Sequence, residues 1–390
     1  MIKSIRFKNF FSFQDQKVEF KNMNVFVGIN GAGKSNLIKA IQVLKAANSE
    51  NALPELLIEQ WGGVDAIHFL GEKSGPIEIE YELDPEVLSQ YGYHFQEPVV
   101  YMIRMSKVAS AENYLISEHF GTQSGFYYME MDKGKGFVRE GVSDQMKQVA
   151  YTLDRANESI LTQLMDKNSY IQIYALREAI KDIAIYNYFD TSITSPIRKP
   201  APATNSARLV SDGSNLPKLL NNIKINHKSS IQKIRESLNV INPQFVGFDF
   251  NPMGTGLEML LEEVGLEKSV HVTHISDGTL RYLCLLSIFY NPNRGKLVCL
   301  DEPEVGLHPD MITEIMAAIQ ETANETQYII STHSELLLNQ LPVSNVFVFE
   351  KDEKNSTQVK TYVSEDFVEW ASQYATGRLW RNGDLGGNRY

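Results

Sequence analysis

Cysteine is scarce: the chain has 2, Cys284 and Cys299, each inside an apolar run. Neither a disulfide framework nor a cysteine-built zinc site can be assembled from them, and both read as small buried side chains. No apolar run approaches the roughly 20 residues needed to cross a bilayer. The opening MIKSIRFKNF alternates apolar and polar residues and carries no signal sequence. The expectation is a soluble, unsecreted, cytoplasmic protein without membrane contact. Positive charge is also in deficit. With a net charge of -11 the surface as a whole repels phosphate, so any contact with nucleic acid must be local or supplied by a partner. Internal repeats and low-complexity tracts are missing too. What the chain does have is 43% hydrophobic residues over 390 positions, enough for a substantial core and for two lobes or one large domain with an insertion.

Residues Ile2 to Phe20 alternate well enough for two strands, with a turn expected near Gln14 to Lys17. A third strand, Asn24 to Val27, ends in glycine, and beyond it Leu37, Ile38, Ile41 and Leu44 share one side of a helix. Aromatic and β-branched content from about Ile77 to Arg104 and from Phe126 to Val138 predicts an antiparallel sheet, with a turn at Lys133 to Gly136. Ser143 to about Tyr188 reads as helix. The proline-rich SITSPIRKPAPA, Ser192 to Ala203, reads as a connector that no helix can cross. A second helical piece spans Leu216 to Leu238, and strand returns at Phe245 to Phe250 and Leu257 to Leu261. Three short apolar runs follow: Lys296 to Leu300, Tyr328 to Ile330 and Val346 to Phe349. Each gives way at once to polar residues and helical patterns separate them, which predicts parallel central strands with functional groups at their carboxyl ends.

Two segments carry chemistry. Gly28-Ile29-Asn30-Gly31-Ala32-Gly33-Lys34-Ser35 satisfies G-x-x-x-x-G-K-[ST] between a predicted strand and a predicted helix, the context a phosphate loop requires. Its glycines allow a tight path that points N–H groups at phosphate, and the helix N-terminus adds its dipole. In this pattern Lys34 takes the β- and γ-phosphates and Ser35 the Mg²⁺, with Asn36 next in line. Leu297 to Leu300 then runs into Asp301, Glu302 and Pro303. Asp301 can hold magnesium through its water shell, and Glu302 is placed to polarise the attacking water as general base. A hydrophobic run ending in Asp-Glu is commonplace by itself; beside a phosphate loop it gains meaning, because the metal needs a protein carboxylate.

An ordered set of further motifs accompanies these two: Ile275-Ser276-Asp277-Gly278-Thr279-Leu280-Arg281, similar to the signature L-S-G-G-[EQ]; Glu304-Val305-Gly306-Leu307-His308-Pro309, similar to a D-loop; and Ser331-Thr332-His333-Ser334, similar to an H-loop. In this order the chain resembles the ABC ATPases of the RecF and SMC type, and more closely the compact bacterial AAA-family ATPases of anti-phage defence operons. The resemblance implies an α/β fold: an ABC-type P-loop ATPase head with a mixed or parallel central sheet, an antiparallel β subdomain and a helical lid insertion. Its parts would be 1–140, an N-terminal lobe with the phosphate loop and β subdomain; 141–240, the helical insertion; and 241–390, a C-terminal lobe with the remaining motifs.

The resemblance also implies roles. ATP and Mg²⁺ are the cofactors, and Lys34, Glu302 and His333 the catalytic set. Ser276 and the backbone at Gly278 meet the γ-phosphate bound on the opposite subunit, so a homodimer forms around the nucleotide, with higher oligomers left open. Asp277 and Thr279 depart from the signature, which implies a weaker trans contact and slow hydrolysis. Gln60 is either the glutamine that senses magnesium or an ordinary loop residue. Lys218, Lys224, Lys228, Lys233 and Arg235 have no acidic residue among them and form either a phosphate-binding patch for nucleic acid or a solvated helix face. The C-terminus, Gly377 to Tyr390, resembles the ending of the compact defence ATPases; it is either frayed or docked through Leu379 and Trp380. No nuclease constellation is visible, so the expected function is a dimeric ATP switch that senses or clamps nucleic acid and regulates a separate nuclease effector. The alternatives are a RecF-like mediator of recombination, a transporter subunit and a scaffold without turnover.

Overall fold

The computed structural model describes residues 1–69, 75–108, 110–141, 146–201, 207–362 and 375–387. Ala203 of the connector, Ser143 at the start of the expected helix and Asn388 to Tyr390 of the tail lie outside them. The chain forms two compact units, one of residues 1–183, 347–362 and 385–390, the other of 184–346 and 363–384.

The first unit is built on an eight-stranded sheet in the order β2-β1-β4-β5-β6-β7-β8-β9, with β1 Ile2–Phe10, β2 Phe13–Glu19, β4 Ile77–Leu83, β5 Val99–Val108, β6 Ser110–Thr122, β7 Tyr127–Asp132, β8 Lys135–Glu140 and β9 Lys147–Thr152; β3, Met23–Val27, lies in another sheet. All its neighbours are antiparallel. The β1–β2 turn falls at Phe11 and Ser12, not at Gln14 to Lys17. Phe11 takes a left-handed φ of 48°, which lets Phe7 and Phe13 stack with ring centroids 4.4 Å apart; burial of the aromatic face sets the register. Helix α1, Lys34–Ala46, buries Leu37, Ile38, Ile41 and Leu44 as expected. The Tyr81 hydroxyl donates to the Ala40 carbonyl at 2.6 Å and ties this helix to β4.

The helix expected over Ser143 to Tyr188 is a correction. Helix is confined to a turn at Ile160–Gln163 and to α2, Ile171–Lys181, while Lys147–Thr152 is strand β9 and Ile183–Tyr186 is strand β10. Strand β9 alternates weakly because it is the edge of the sheet and buries neither face. Strand β3 is followed in its own sheet by β16, Val346–Lys351, and β17, Thr357–Thr361, the last two antiparallel.

In the second unit β10 neighbours β14, Leu297–Asp301, which pairs in parallel with β15, Gln327–Ser331. A separate antiparallel sheet holds β11, Phe245–Met253, β12, Gly256–Glu263, and β13, Val270–His271. The expected helix from Leu216 to Leu238 divides at His227 into α3, Leu216–Asn226, and α4, Lys228–Ile241. Helix α5, Asp277–Phe289, carries the signature residues at its start, and α6, Pro309–Thr322, connects β14 to β15. Among its described residues the connector holds a single 3₁₀ turn, Pro196–Arg198, and Ala201 bridges to Leu257 of β12. No helix among the described residues is long and apolar enough to cross a membrane.

Candidate functional site

In the first unit the segment Gly28 to Ser35 joins β3 to α1, and its backbone explains its composition. Gly28 has φ 147° and Gly33 φ 113°, and a Cβ on Gly28 would strike the Phe349 carbonyl oxygen. A Cβ on Gly33 would come within 2.8 Å of the Ser12 hydroxyl. Asn30 and Gly31 occupy the exposed crest, and the Ala32 amide turns back to the Ile29 carbonyl at 3.1 Å. Lys34 is buried, with its ammonium donating to the Gly28 carbonyl at 2.8 Å, while Ser35 is exposed at the first turn of α1. The result is a concave cradle of backbone under one cation at a helix N-terminus, a shape suited to a polyphosphate.

Sequence reasoning missed what holds this loop. Ser12 of the β1–β2 turn accepts from the Asn36 amide at 2.9 Å. The Thr357 hydroxyl, on β17 and fully buried, lies 2.7 Å from both the Ala32 carbonyl and the Ser12 hydroxyl. No local signal could have identified either, because the contacts span 345 and 325 positions of sequence. Beside the loop opens a cavity of about 400 Å³, lined by Phe11, Ser12, Asn36, Phe69, Lys351 and Asn355 among others. Gln60 ends a π-helical turn, Glu55–Gln60, and is exposed; the next residue, Trp61, packs edge-on against Phe11 with centroids 5.4 Å apart.

In the second unit the carboxyl ends of β14 and β15 lie side by side, with Asp301 in register with Ser331. The Ser331 hydroxyl donates to the Asp301 carboxylate. Glu302 takes φ 49°, rare for a residue with a side chain, and its amide donates to the Ser331 carbonyl at 3.0 Å. The Glu304 carboxylate accepts from the Thr332 hydroxyl at 2.6 Å and the His333 amide at 2.8 Å. These bonds leave His333 Nε2 3.5 Å from the Glu302 carboxylate, both side chains part-exposed. Asp301, Glu302 and His333 are therefore gathered at one sheet end.

Ser276 caps α5: its exposed hydroxyl accepts from the Thr279 amide at 3.2 Å. Gly278, two residues on, passes close to the Gly306 carbonyl.

Three of the five basic residues are engaged within the second unit. Lys224 donates to the Phe248 carbonyl at 2.6 Å, Lys233 pairs with Glu321, and Arg235 donates to the Val246 carbonyl. The C-terminal segment packs on its own chain. Helix α7, Thr376–Asn382, buries Leu379 against the turn at Glu335–Leu338, and the Gly377 amide donates to Asn339 at 2.9 Å. Further on, in the first unit, Gly387 donates its amide to Glu350 at 2.8 Å.

Comparison with known proteins agrees with this geometry. A family model described as "AAA domain, putative AbiEii toxin, Type IV TA system" matches residues 23–100 and 151–339. An "ATP/GTP phosphatase" of Helicobacter pylori is 23% identical over 94% of this chain and 93% of its own length. Two relatives match locally: the "DNA double-strand break repair Rad50 ATPase" of Sulfolobus acidocaldarius is 36% identical over 22% of this chain and 9% of its own length. The "DNA replication and repair protein RecF" of Lactococcus lactis is 32% identical over 20% and 23%. Among solved structures, an SMC head bound to the C-winged helix domain of ScpA superposes with a TM-score of 0.59 at 15% identity, covering 94% of this chain and 99% of that one. At that identity the likeness speaks to the fold.

Proposed function

The chain belongs to this AAA-domain family and is an ATPase of the SMC, RecF and Rad50 superfamily, and from that membership we propose a dimeric ATP switch of anti-phage defence. It binds ATP with Mg²⁺, hydrolyses it slowly, closes two copies around the nucleotide, and through that closure senses or clamps nucleic acid and controls a separate nuclease effector. The observation that carries the reading is the cradle from Gly28 to Ser35, in which backbone too crowded for a Cβ lies under a buried lysine.

In this reading the loop amides and Lys34 hold the triphosphate, and the cavity beside Asn36 takes the nucleoside, with Phe11 and Phe69 offering aromatic faces and Ser12 and Asn355 hydrogen bonds. The family reading implies magnesium as the companion of the triphosphate. Mg²⁺ typically takes one or two protein oxygen ligands and fills the rest with phosphate oxygens and water. Ser35 would supply such a ligand, with Gln60 sensing the ion; the bound ion would offset phosphate charge. Glu302, aimed by its left-handed backbone, draws the proton from the attacking water, and His333, 3.5 Å from it, steadies that carboxylate and the γ-phosphate. Ser276 and Gly278 of one copy complete the site of the other. Nucleic acid contact is assigned to the basic residues of α3 and α4, to a partner or to the assembled dimer.

The test is direct. Lys34→Ala abolishes ATP binding in calorimetry, and Glu302→Gln accumulates an ATP-bound dimer in sedimentation velocity. Identical monomer populations with and without ATP in Glu302→Gln reject the sandwich. A recombination-mediator role is the second reading, favoured by the local similarity to RecF; binding to gapped duplex together with stimulation of a recombinase would move the assignment there.

A further inference from the structure

The connector Ser192 to Ala203 is proline-rich and looked like a spacer, yet it carries one of the most completely bonded side chains in the second unit. Arg198 is 8% exposed. Its Nε donates to the Thr191 carbonyl at 2.8 Å, one terminal nitrogen donates to the carbonyls of Val272 at 2.8 Å and Ile275 at 2.9 Å, and the other donates to the Asp277 carboxylate at 2.6 Å. Those acceptors flank Ser276: Ile275 precedes it and Asp277 follows it. The connector is itself anchored. Ala201 exchanges hydrogen bonds with Leu257 at 2.7 and 3.1 Å, and at its other end the Phe189 carbonyl accepts from Arg281 at 3.2 Å while Arg281 stacks on the Tyr188 ring at 4.3 Å. One strap, residues 188–201, is thus bonded both to the residues that lead into α5 and to its opening turns.

Asp277 stands where the signature has glycine. A bare carboxylate at that point would oppose an incoming phosphate and weaken the attraction of the helix N-terminus. The guanidinium cancels it while leaving the Ser276 hydroxyl exposed. We propose that Arg198 is a positioning residue for the trans contact: it fixes the turn that presents Ser276 to the partner's nucleotide and neutralises Asp277, so that this sequence works without the signature's first glycine. The inference rests on the dimeric reading above.

The experiment uses the full chain in the Glu302→Gln background, with ATP-dependent association measured by sedimentation velocity, ATP affinity measured at concentrations where protomers are separate, and cooperative unfolding monitored by heat. Arg198→Gln weakens association at least about tenfold with protomer ATP affinity kept. Adding Asp277→Asn to it restores association to within about threefold of the parent, because the exposed carboxylate is gone; a purely structural arginine gives no such recovery. Arg198→Lys, which keeps the charge but offers one nitrogen to four acceptors, weakens association about threefold, and Asp277→Asn adds nothing to it. Parent-like association in Arg198→Gln, or no recovery in its double variant, overturns the inference. If Arg198→Gln does not fold, parent-like association of Arg198→Lys overturns it. A parent that never associates with ATP overturns the dimeric reading, and this inference with it; an associating parent with unaffected arginine variants overturns only the inference.

Discussion

Thr357→Val isolates the support beneath the phosphate loop, because valine copies the shape of threonine and removes only its hydroxyl. That hydroxyl is fully buried and lies 2.7 Å from the Ala32 carbonyl and 2.7 Å from the Ser12 hydroxyl. Ser12 keeps its bond from Asn36 at 2.9 Å, so the Ala32 carbonyl bears most of the loss. Leaving a buried acceptor without a donor costs about 1–3 kcal/mol, and the expected destabilisation is about 2 kcal/mol. For a unit of this size that lowers the unfolding midpoint by about 4–8 °C. Ala32 sits inside the loop, so freeing its peptide also loosens the amides that face phosphate, and about 1 kcal/mol lost there weakens ATP binding about fivefold. Differential scanning calorimetry reads the first effect and titration calorimetry with ATP the second. Because the contacts form one cluster, Ser12→Ala added to Thr357→Val should cost less than the sum of the single changes. A midpoint lowered as stated with ATP affinity unchanged refutes the reasoning, since it makes the contact a support of the fold and not of the loop.

Gly28→Ala should abolish ATP binding, because the new Cβ meets the Phe349 carbonyl, whereas Gly31→Ala, at φ 81° with nothing within 4 Å of the added carbon, should weaken it by the backbone strain alone, about 1–2 kcal/mol; calorimetry with equal losses in both would contradict the packing argument. Glu350 is held below its ordinary 4.5 first by its bond to Lys360, against desolvation, and then by the Gly387 amide. A depressed carboxylate stabilises the fold above its unfolded value and loses that contribution as pH falls through the folded one. The stability gap between wild type and Glu350→Gln should therefore be full near neutrality and shrink as pH is lowered from 4.5. A gap independent of pH would show that the carboxylate charge plays no part. Glu302→Gln should retain ATP affinity while turnover falls at least about a hundredfold, the lower range for a lost general base, read by phosphate release; unchanged turnover assigns the base elsewhere.

What the sequence disclosed and what it hid divide along the range of the interactions. The turn from Gly28 to Ser35 between β3 and α1 was legible because its glycines answer to its own backbone, and the end of β14 at Asp301 because a buried strand announces itself by an apolar run that stops. Strand β9 was read as helix since Lys147 to Thr152 lies at a sheet edge, where no face is buried deeply enough to impose alternation. The β1–β2 turn was misplaced for a related reason: no glycine, proline or asparagine marks Phe11 and Ser12, and aromatic stacking across the hairpin, not turn chemistry, fixes where the chain reverses. The bonds of Lys224, Lys233 and Arg235 to carbonyls of β11 and an acid of α6 were invisible to a count of charges along α3 and α4.

The departure at Asp277 shows how the two kinds of information combine. By sequence alone it is a defect in a signature, and it implies a weak trans contact. Once Arg198 is seen to meet that carboxylate at 2.6 Å, the defect becomes half of a pair, and the other half lies in a segment whose composition suggested only a linker. A glycine at that position needs no partner; an aspartate there needs a buried arginine, and the arginine needs a strap held at Ala201 and Phe189 to keep it in place. The same reasoning applies to Glu302. Its left-handed backbone is a strain that a free loop would relax, and it persists because the amide is bound to Ser331 at 3.0 Å. In both places a residue that breaks a local rule is held by contacts distant in sequence, and in both it stands at or beside a group that the proposed reaction aims at phosphate or water.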